Sequence, residues 1–251
     1  NVKRTVTQAE TNTGLKPYDL KILKTLFLIR YIDLVPPNID NLVSLSIEHI
    51  DQDKVILKKE LEETLHRLES ETLINRNGDL YYFLTDEERD VSSEIKNERL
   101  EPVEEINKMN DLFGGEILRN ETKFKYSENK NNYPFSKIID GLLCGSNRQE
   151  ELILDLVTPL NSNYFDEKSR SHIRSQEGGG RIIIQFQDDS ALWHELRIWM
   201  QTEKYIHRKT ASVNTRSLKR ILEERADENR ERWDRMIQLL EEACLKADWF
   251  I

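Results

Sequence analysis

Long hydrophobic runs are missing from this sequence: no stretch of its 251 residues approaches the ~20 consecutive apolar residues that cross a bilayer. Asn1 to Thr13 is polar and lacks the apolar segment of a secretory signal, so neither a membrane span nor export is expected, and a cytoplasmic location is. Cysteine is scarce. Cys144 and Cys244 lie far apart, with no CxxC and no neighbouring histidine, which argues against a zinc ribbon and a disulfide framework and for two buried, reduced thiols. His49, His66, His172, His194 and His207 show no HxxxH or HExxH spacing, so no metal site is expected. No GxxxxGK[ST] occurs, and no nucleophile, base and orienting group come together; His194 and Glu195 are adjacent on a helix, where side chains diverge. Apolar residues make up only 37% of the chain, against about 45–50% in ordinary compact proteins, so small cores and long solvated helices are expected, in one to two domains.

A basic excess is missing too. The net charge is −9, and it lies wholly before Leu118: 15 Lys and Arg stand against 24 Asp and Glu there, while the remainder carries 22 of each. Affinity for nucleic acid comes largely from neutralising phosphates, so an acidic module starts at a disadvantage.

What is present is helical periodicity and one hairpin signal. Residues 1–14 read as a polar linker. Pro17 suits the first turn of a helix, and Leu20, Leu23, Leu26, Phe27 and Tyr31 keep a 3.6-residue spacing up to Pro36-Pro37. A shorter helix with Leu42, Leu45 and Ile50 follows, capped by Asn38 or Asp40, then a third with Leu57, Leu61, Leu65 and Leu68, capped by Asp51. Asn77-Gly78 between two short apolar runs is the strongest sequence cue for a hairpin. Three helices and a hairpin make a winged-helix order. Thr85 and Glu88 form a capping box that opens an acidic connector helix reaching Ile106, which closes a first domain at 15–108.

A small α/β domain is expected over 109–212, with strands in 124–135, 152–160 and 181–187 and a helix from Leu192 to about Ile206 for which Asp188 and Asp189 are natural caps. Trp193 and Trp199 read as core. The last region, 213–251, is one long helix whose charged middle, Glu223 to Arg235, is expected to leave the protein body. It ends in the strand-like Asp248-Trp249-Phe250-Ile251, which suggests a segment of a larger protein. The fold class is therefore mixed α+β: a winged-helix module, a small α/β domain and a long charged C-terminal helix.

Several strings together resemble one family: LKILKTLFLIRYID (20–33), HIDQDKVILKKELEETLHRLESETLINRNGDLYYFLTDEERDV (49–91), LVTPLNSNY (156–164), RSQEGGGRIIIQ (174–185) and SLKRILEERADENRERW (217–233). They resemble the BrxC (PglY) family of BREX phage-defence P-loop ATPases over about residues 15–251. The resemblance implies a very large AAA+ ATPase in which a winged helix follows the ATPase core, with this chain lying after that core. ATP and Mg would belong to the parent's core; no cofactor is expected here, and no catalysis. The implied role is assembly, oligomer contacts or coupling of the ATPase to DNA or partners, with other BREX subunits and further copies of the chain as partners. The alternative is a winged-helix module that grips duplex DNA non-specifically.

Candidate binding residues follow from both readings. Recognition helices and wings use Lys, Arg, Asn and Gln, which here are Lys54, Lys58, Lys59 and Arg67 on the third helix and Arg76 and Asn77 at the wing tip. Six carboxylates, Asp53, Glu60, Glu62, Glu63, Glu69 and Glu71, share that stretch, which favours protein docking over DNA. The triple glycine 178–180 precedes a strand rather than opening a helix, so it reads as a turn or a close backbone approach and not as a phosphate loop. Beside it, Arg174, Gln176 and Arg181 are candidates to meet phosphate or a partner carboxylate.

Overall fold

The computed structural model describes residue 7 and residues 14–32, 34–145, 149–161, 163–176, 179–188, 190–213 and 215–251. Most of the polar tail expected over 1–14, Gly178 and the candidate cap Asp189 lie outside the described residues. The chain divides into two compact units, one of residues 1–98 with 205–228 and one of residues 99–204 with 229–251. Helix and sheet are mixed throughout, with a long C-terminal helix.

In the first unit, α1 (Pro17–Ile29) starts with Pro17 at its first position, and Ile22, Leu23, Leu26 and Ile29 are its buried stripe. Tyr31 lies past the helix end and is exposed, because the stripe stops where the helix does. Asn38 caps α2 (Ile39–Ser46) by accepting from the Asn41 N–H at 2.9 Å. Leu45 and Ile50 are exposed, and Val43 packs in their place. Asp53, not Asp51, caps α3 (Lys54–Ser70): its carboxylate accepts from the Val55 and Ile56 N–H groups, and a cap must immediately precede the first turn. Leu57, Leu61, Leu65 and Leu68 are buried as their spacing requires.

The antiparallel hairpin pairs β1 (Ile74–Asn77) with β2 (Leu80–Phe83). Its two-residue loop is Gly78-Asp79, one step later than Asn77-Gly78. Asn77 pairs with Leu80 as the last strand residue, and Gly78 takes φ +61 at the first loop position, as a type II′ turn demands. Asn77 is consequently buried and not at the wing tip. The Thr85–Glu88 capping box is present at α4 (Asp86–Lys96). That helix does not run on to Ile106: Pro102 opens a separate helix, α5 (Pro102–Leu112), because proline lacks the N–H that a helix interior requires.

The second unit holds α5, a π-helical turn at Phe113–Ile117 and a six-stranded sheet. Its strands are β3 (Lys123–Lys125), β4 (Asn132–Ile139), β5 (Leu142–Cys144), β6 (Leu152–Val157), β7 (Arg181–Gln185) and β8 (Asp248–Phe250). The order is β3-β4-β6-β7-β8, with β5 also on β4; β4, β6 and β7 are parallel, and the edge strands are antiparallel. A helix between β6 and β7, α6 (Tyr164–Gln176), is polar enough to have escaped the periodicity reading. On one sheet face Val157, Ile183 and Tyr164 pack together. On the other, Ile139, Leu156 and Ile184 pack with α5 and with parts of α7 (Ser190–Thr210) and α8 (Arg216–Lys246).

The charged middle of α8 does not leave the body. Arg225, Asn229 and Arg232 are buried, and each finds a partner: Arg225 donates to Glu228 at 2.6 Å, Asn229 to Glu203 at 3.0 Å and Arg232 to Glu195 at 3.0 Å. Burial of a charge is tolerated where it is paired and hydrogen-bonded, so a polar stripe at i, i+4, i+7 served as a packing face. Trp193 is buried edge-on against Phe186, and Trp199 and Trp233, tilted at 49° to each other, both lie beneath the Lys108 ammonium, 4.4 and 4.8 Å from their ring centres.

Gly180 explains part of the triple glycine. Its φ is +67, and a Cβ there would meet the Glu151 carbonyl oxygen at 2.9 Å and Leu152 Cδ2 at 3.1 Å. The glycine lets β7 approach β6, where the Gly180 carbonyl accepts from the Ile153 N–H at 2.9 Å. Gly180→Ala is expected to destabilise the second unit by about 1–3 kcal/mol. Gly179→Ala, with φ +89 but open space around it, is expected to cost less; urea titrations of the two variants check the order.

Candidate partner-binding site

Helix α3 presents the first candidate surface. Its inward positions are filled by Leu57, Leu61, Thr64, Leu65 and Leu68, which leaves Val55, Lys59, Glu62 and His66 as an outward stripe at i, i+4, i+7 and i+11. At its N-terminal end the exposed residues are apolar: Val55 is 78% and Ile56 68% exposed, and Ile50, just before the helix, is fully exposed. Lys54 and Lys59 are exposed, and Lys58 makes a 3.2 Å ion pair with Asp40 on the surface. In a helix that reads DNA, its first turns face base edges and phosphates. Here they offer two branched aliphatic side chains, Val55 and Ile56, beside the three lysines, with Asp53 and Glu60 as the carboxylates nearest in sequence.

The fourth cation of that helix works inside the protein. Arg67 donates through Nε and Nη2 to Asp19 at 3.0 and 2.8 Å, and Asp19, with no exposed surface, also accepts from Thr64 Oγ1 and the Lys16 N–H at 2.9 Å. Burial pushes the Asp19 carboxyl up, but the hydrogen bonds from Arg67, Lys16 and Thr64 outweigh it and hold the group below the usual range. The arginine of the β1–β2 hairpin is likewise turned to its own hairpin: Arg76 Nε donates to the Gly78 carbonyl at 2.8 Å, and its guanidinium lies over the Tyr81 ring at 5.6 Å.

In the second unit the glycine-flanking residues separate. Arg174 from α6 and Arg181 from β7 both donate to Asp155 Oδ2, the latter at 2.6 Å, so the carboxylate they meet belongs to β6 of the same sheet. Asp155 is 1% exposed. Gln176 lies 3.1 Å from His172 Nε2 on α6 and does not join this cluster. Arg181 and Gly180 also line a cleft of about 680 Å3, within the range of ligand-sized pockets, whose other walls are mostly apolar: Ile117, Leu118, Phe124, Phe135, Leu152, Leu154, Ile182 and Ile251. No sequence pattern pointed to this cleft, because it is assembled from four strands, the end of α6, the turn after the π-helical segment and Ile251, all distant in the chain.

Among the described residues no group of three or more His, Cys, Asp or Glu could hold a metal ion, and no helix is long and apolar enough to cross a membrane. Cys144 is buried, and burial pushes the half-buried Cys244 thiol up to about 11, away from the thiolate a nucleophile needs.

No solved structure matches the chain. A family model described as the BREX ATP-binding protein BrxC, fourth domain with six-stranded beta sheet, matches residues 98–251. All six strands of the sheet found here fall inside that span. With more than half of its length matched, and with the sheet that the description names, the chain belongs to the BrxC family of BREX ATP-binding proteins.

Proposed function

We propose that this region of a BREX defence ATPase is non-catalytic and serves in assembly, docking other BREX subunits or further copies of the chain through its winged-helix-like first unit. The observation that carries this reading is the exposed start of α3, where the branched aliphatic side chains of Val55 and Ile56, and of Ile50 just before the helix, are largely open to solvent, and where Arg67, the guanidinium of that helix, is consumed by Asp19. Apolar anchors on a surface supply binding energy to a protein partner, whereas duplex DNA is gripped by cations and releases counterions. The lysines Lys54, Lys58 and Lys59 stand against six carboxylates in the same stretch.

Two measurements test this together. In co-purification with the other BREX proteins, the double variant Val55→Glu/Ile56→Glu is expected to lose its partner, and the triple variant Lys58→Glu/Lys59→Glu/Arg76→Glu to keep it. In fluorescence anisotropy against a duplex of ~30 base pairs, the unaltered chain is expected to show no binding in the ~10⁻⁴ to 10⁻⁶ M range of non-specific DNA association at physiological salt. Duplex binding that weakens steeply with salt and vanishes in the triple variant would replace docking with the DNA-gripping alternative.

A further inference from the structure

The six-stranded sheet is covered unevenly on the face that carries the main core. Three rows of side chains run across its parallel strands in register: Ile139-Leu156-Ile184, then Lys137-Leu154-Ile182, then Phe135-Leu152. The first row is sealed, each member at most 1% exposed. In the second and third rows Leu154, Ile182, Phe135 and Leu152 are only half-buried, although Ile153 and Ile183, on the opposite face of the same strands, are buried. The helical layer ends at Leu118, and the apolar cleft begins there. Its floor continues to Phe124 of β3, which is 56% exposed, and to Ile251 beyond β8.

We infer that this strip is the seat of an acidic amphipathic helix supplied by a partner. The strip is long across the strands and narrow along them: from β3 to β8 it crosses four strand spacings, about 19 Å, which is the length of roughly 13 helical residues. A helix suits such an apolar floor because it satisfies its own backbone N–H and C=O groups. An extended segment lying across the strands would leave its backbone groups facing leucine and phenylalanine without partners. Helix on sheet is also how the rest of this face is covered.

Charge on the rim sets the sign of the partner. Arg119 and Lys123 are exposed at the cleft mouth against one carboxylate, Glu121, in a chain whose net charge is −9. Arg119 and Asn120 adopt φ of +50 and +58, a left-handed pair held by the Asn120 N–H donating to the Gly114 carbonyl at 2.7 Å, so the rim turn is fixed rather than fluid. Apolar residues at i, i+3, i+4 and i+7 would face the floor, and carboxylates on the flanks would meet the two cations. This surface is separate from the start of α3, and the inference stands or falls independently of the assembly role proposed for that helix.

The test uses the whole 251-residue chain and a fluorescein-labelled peptide of about fourteen residues, with leucine at helical spacing and glutamate on its flanks, beside a twin carrying lysine at each glutamate. Saturable binding of the acidic peptide, at least ~10-fold tighter than its twin, is expected, with that preference reversed in Arg119→Glu/Lys123→Glu. Phe124→Glu, at an exposed position that cannot unfold the sheet by cavity formation, is expected to weaken binding ~10-fold or more with an unchanged melting curve. Val55→Glu/Ile56→Glu is expected to bind the peptide normally. Equal affinity for the two peptides, indifference to the rim and Phe124 variants, or no saturable binding of the acidic peptide would overturn the inference.

Discussion

Asp19→Ala is expected to lower the stability of the first unit by about 3 kcal/mol, far more than a substitution in a first helical turn ordinarily would. Removing the carboxylate strips Arg67, Thr64 and the Lys16 N–H of their shared acceptor at once, and Thr64 has no exposed surface from which to reach water. Arg67 keeps about a quarter of its side chain exposed and can rehydrate in part, which holds the loss toward the lower end of the range for a broken buried pair. Lys58→Ala, which breaks only the surface pair with Asp40, should change stability by less than about 0.5–1 kcal/mol.

The same pair gives a pH dependence of definite sign. Glu88, like Asp19, is pushed up by burial and more strongly held down, here by Arg30, which donates to it at 2.5 and 2.9 Å, and by the Thr85 N–H. Carboxyls that ionise more easily folded than unfolded stabilise the fold fully above their ordinary pKa near 4. They lose that contribution as the pH falls through the lower, folded values. Acid titration should therefore unfold the first unit from about pH 4 downward, and Asp19→Ala should flatten that loss. All four tryptophans, Trp193, Trp199, Trp233 and Trp249, lie in the second unit. Far-ultraviolet circular dichroism then reports both units and tryptophan fluorescence only one, so the Asp19 variant should shift the former and leave the latter in place. Reversing Arg67 as a supposed DNA contact would unfold the module instead of testing it.

The second large effect is expected at Asp155. Its carboxylate is almost wholly buried on β6 and serves both Arg174 and Arg181, so Asp155→Ala should destabilise the second unit by about 3 kcal/mol, read as an earlier tryptophan-fluorescence transition in urea. Each single arginine-to-alanine variant leaves the other cation on the carboxylate and should cost less, and the two losses should not add, because they share one acceptor. If Asp155→Ala were nearly neutral, the two arginines would be surface residues with an incidental neighbour, and their candidacy for phosphate would be restored.

Local chemistry was legible in the linear chain wherever a few neighbouring residues decide the outcome. Pro17 at the head of α1, Asn38 as a cap, the leucine spacing of α3, the Thr85–Glu88 box and the long C-terminal helix follow from propensity, capping and 3.6-residue periodicity, none of which needs a partner distant in the chain. The hairpin was legible as well, but its register was not. A one-residue shift turned Asn77 inward, and the pairing of Asn77 with Leu80 is decided by which strand face packs on the helices.

The roles of the charged residues were the least legible, for the same physical reason. Lysines, arginines and carboxylates read from a sequence carry a sign but no partner. Arg67, Arg174, Arg181 and Arg232 are turned to partners within their own units only because the fold brings Asp19, Asp155 and Glu195 to them. Composition and periodicity by themselves determined an acidic, helix-rich α+β chain with a three-helix-and-hairpin start. Tertiary structure alone decided which cations remain on the surface and where a sheet face is left bare, since burial and pairing depend on contacts between residues that are distant in sequence.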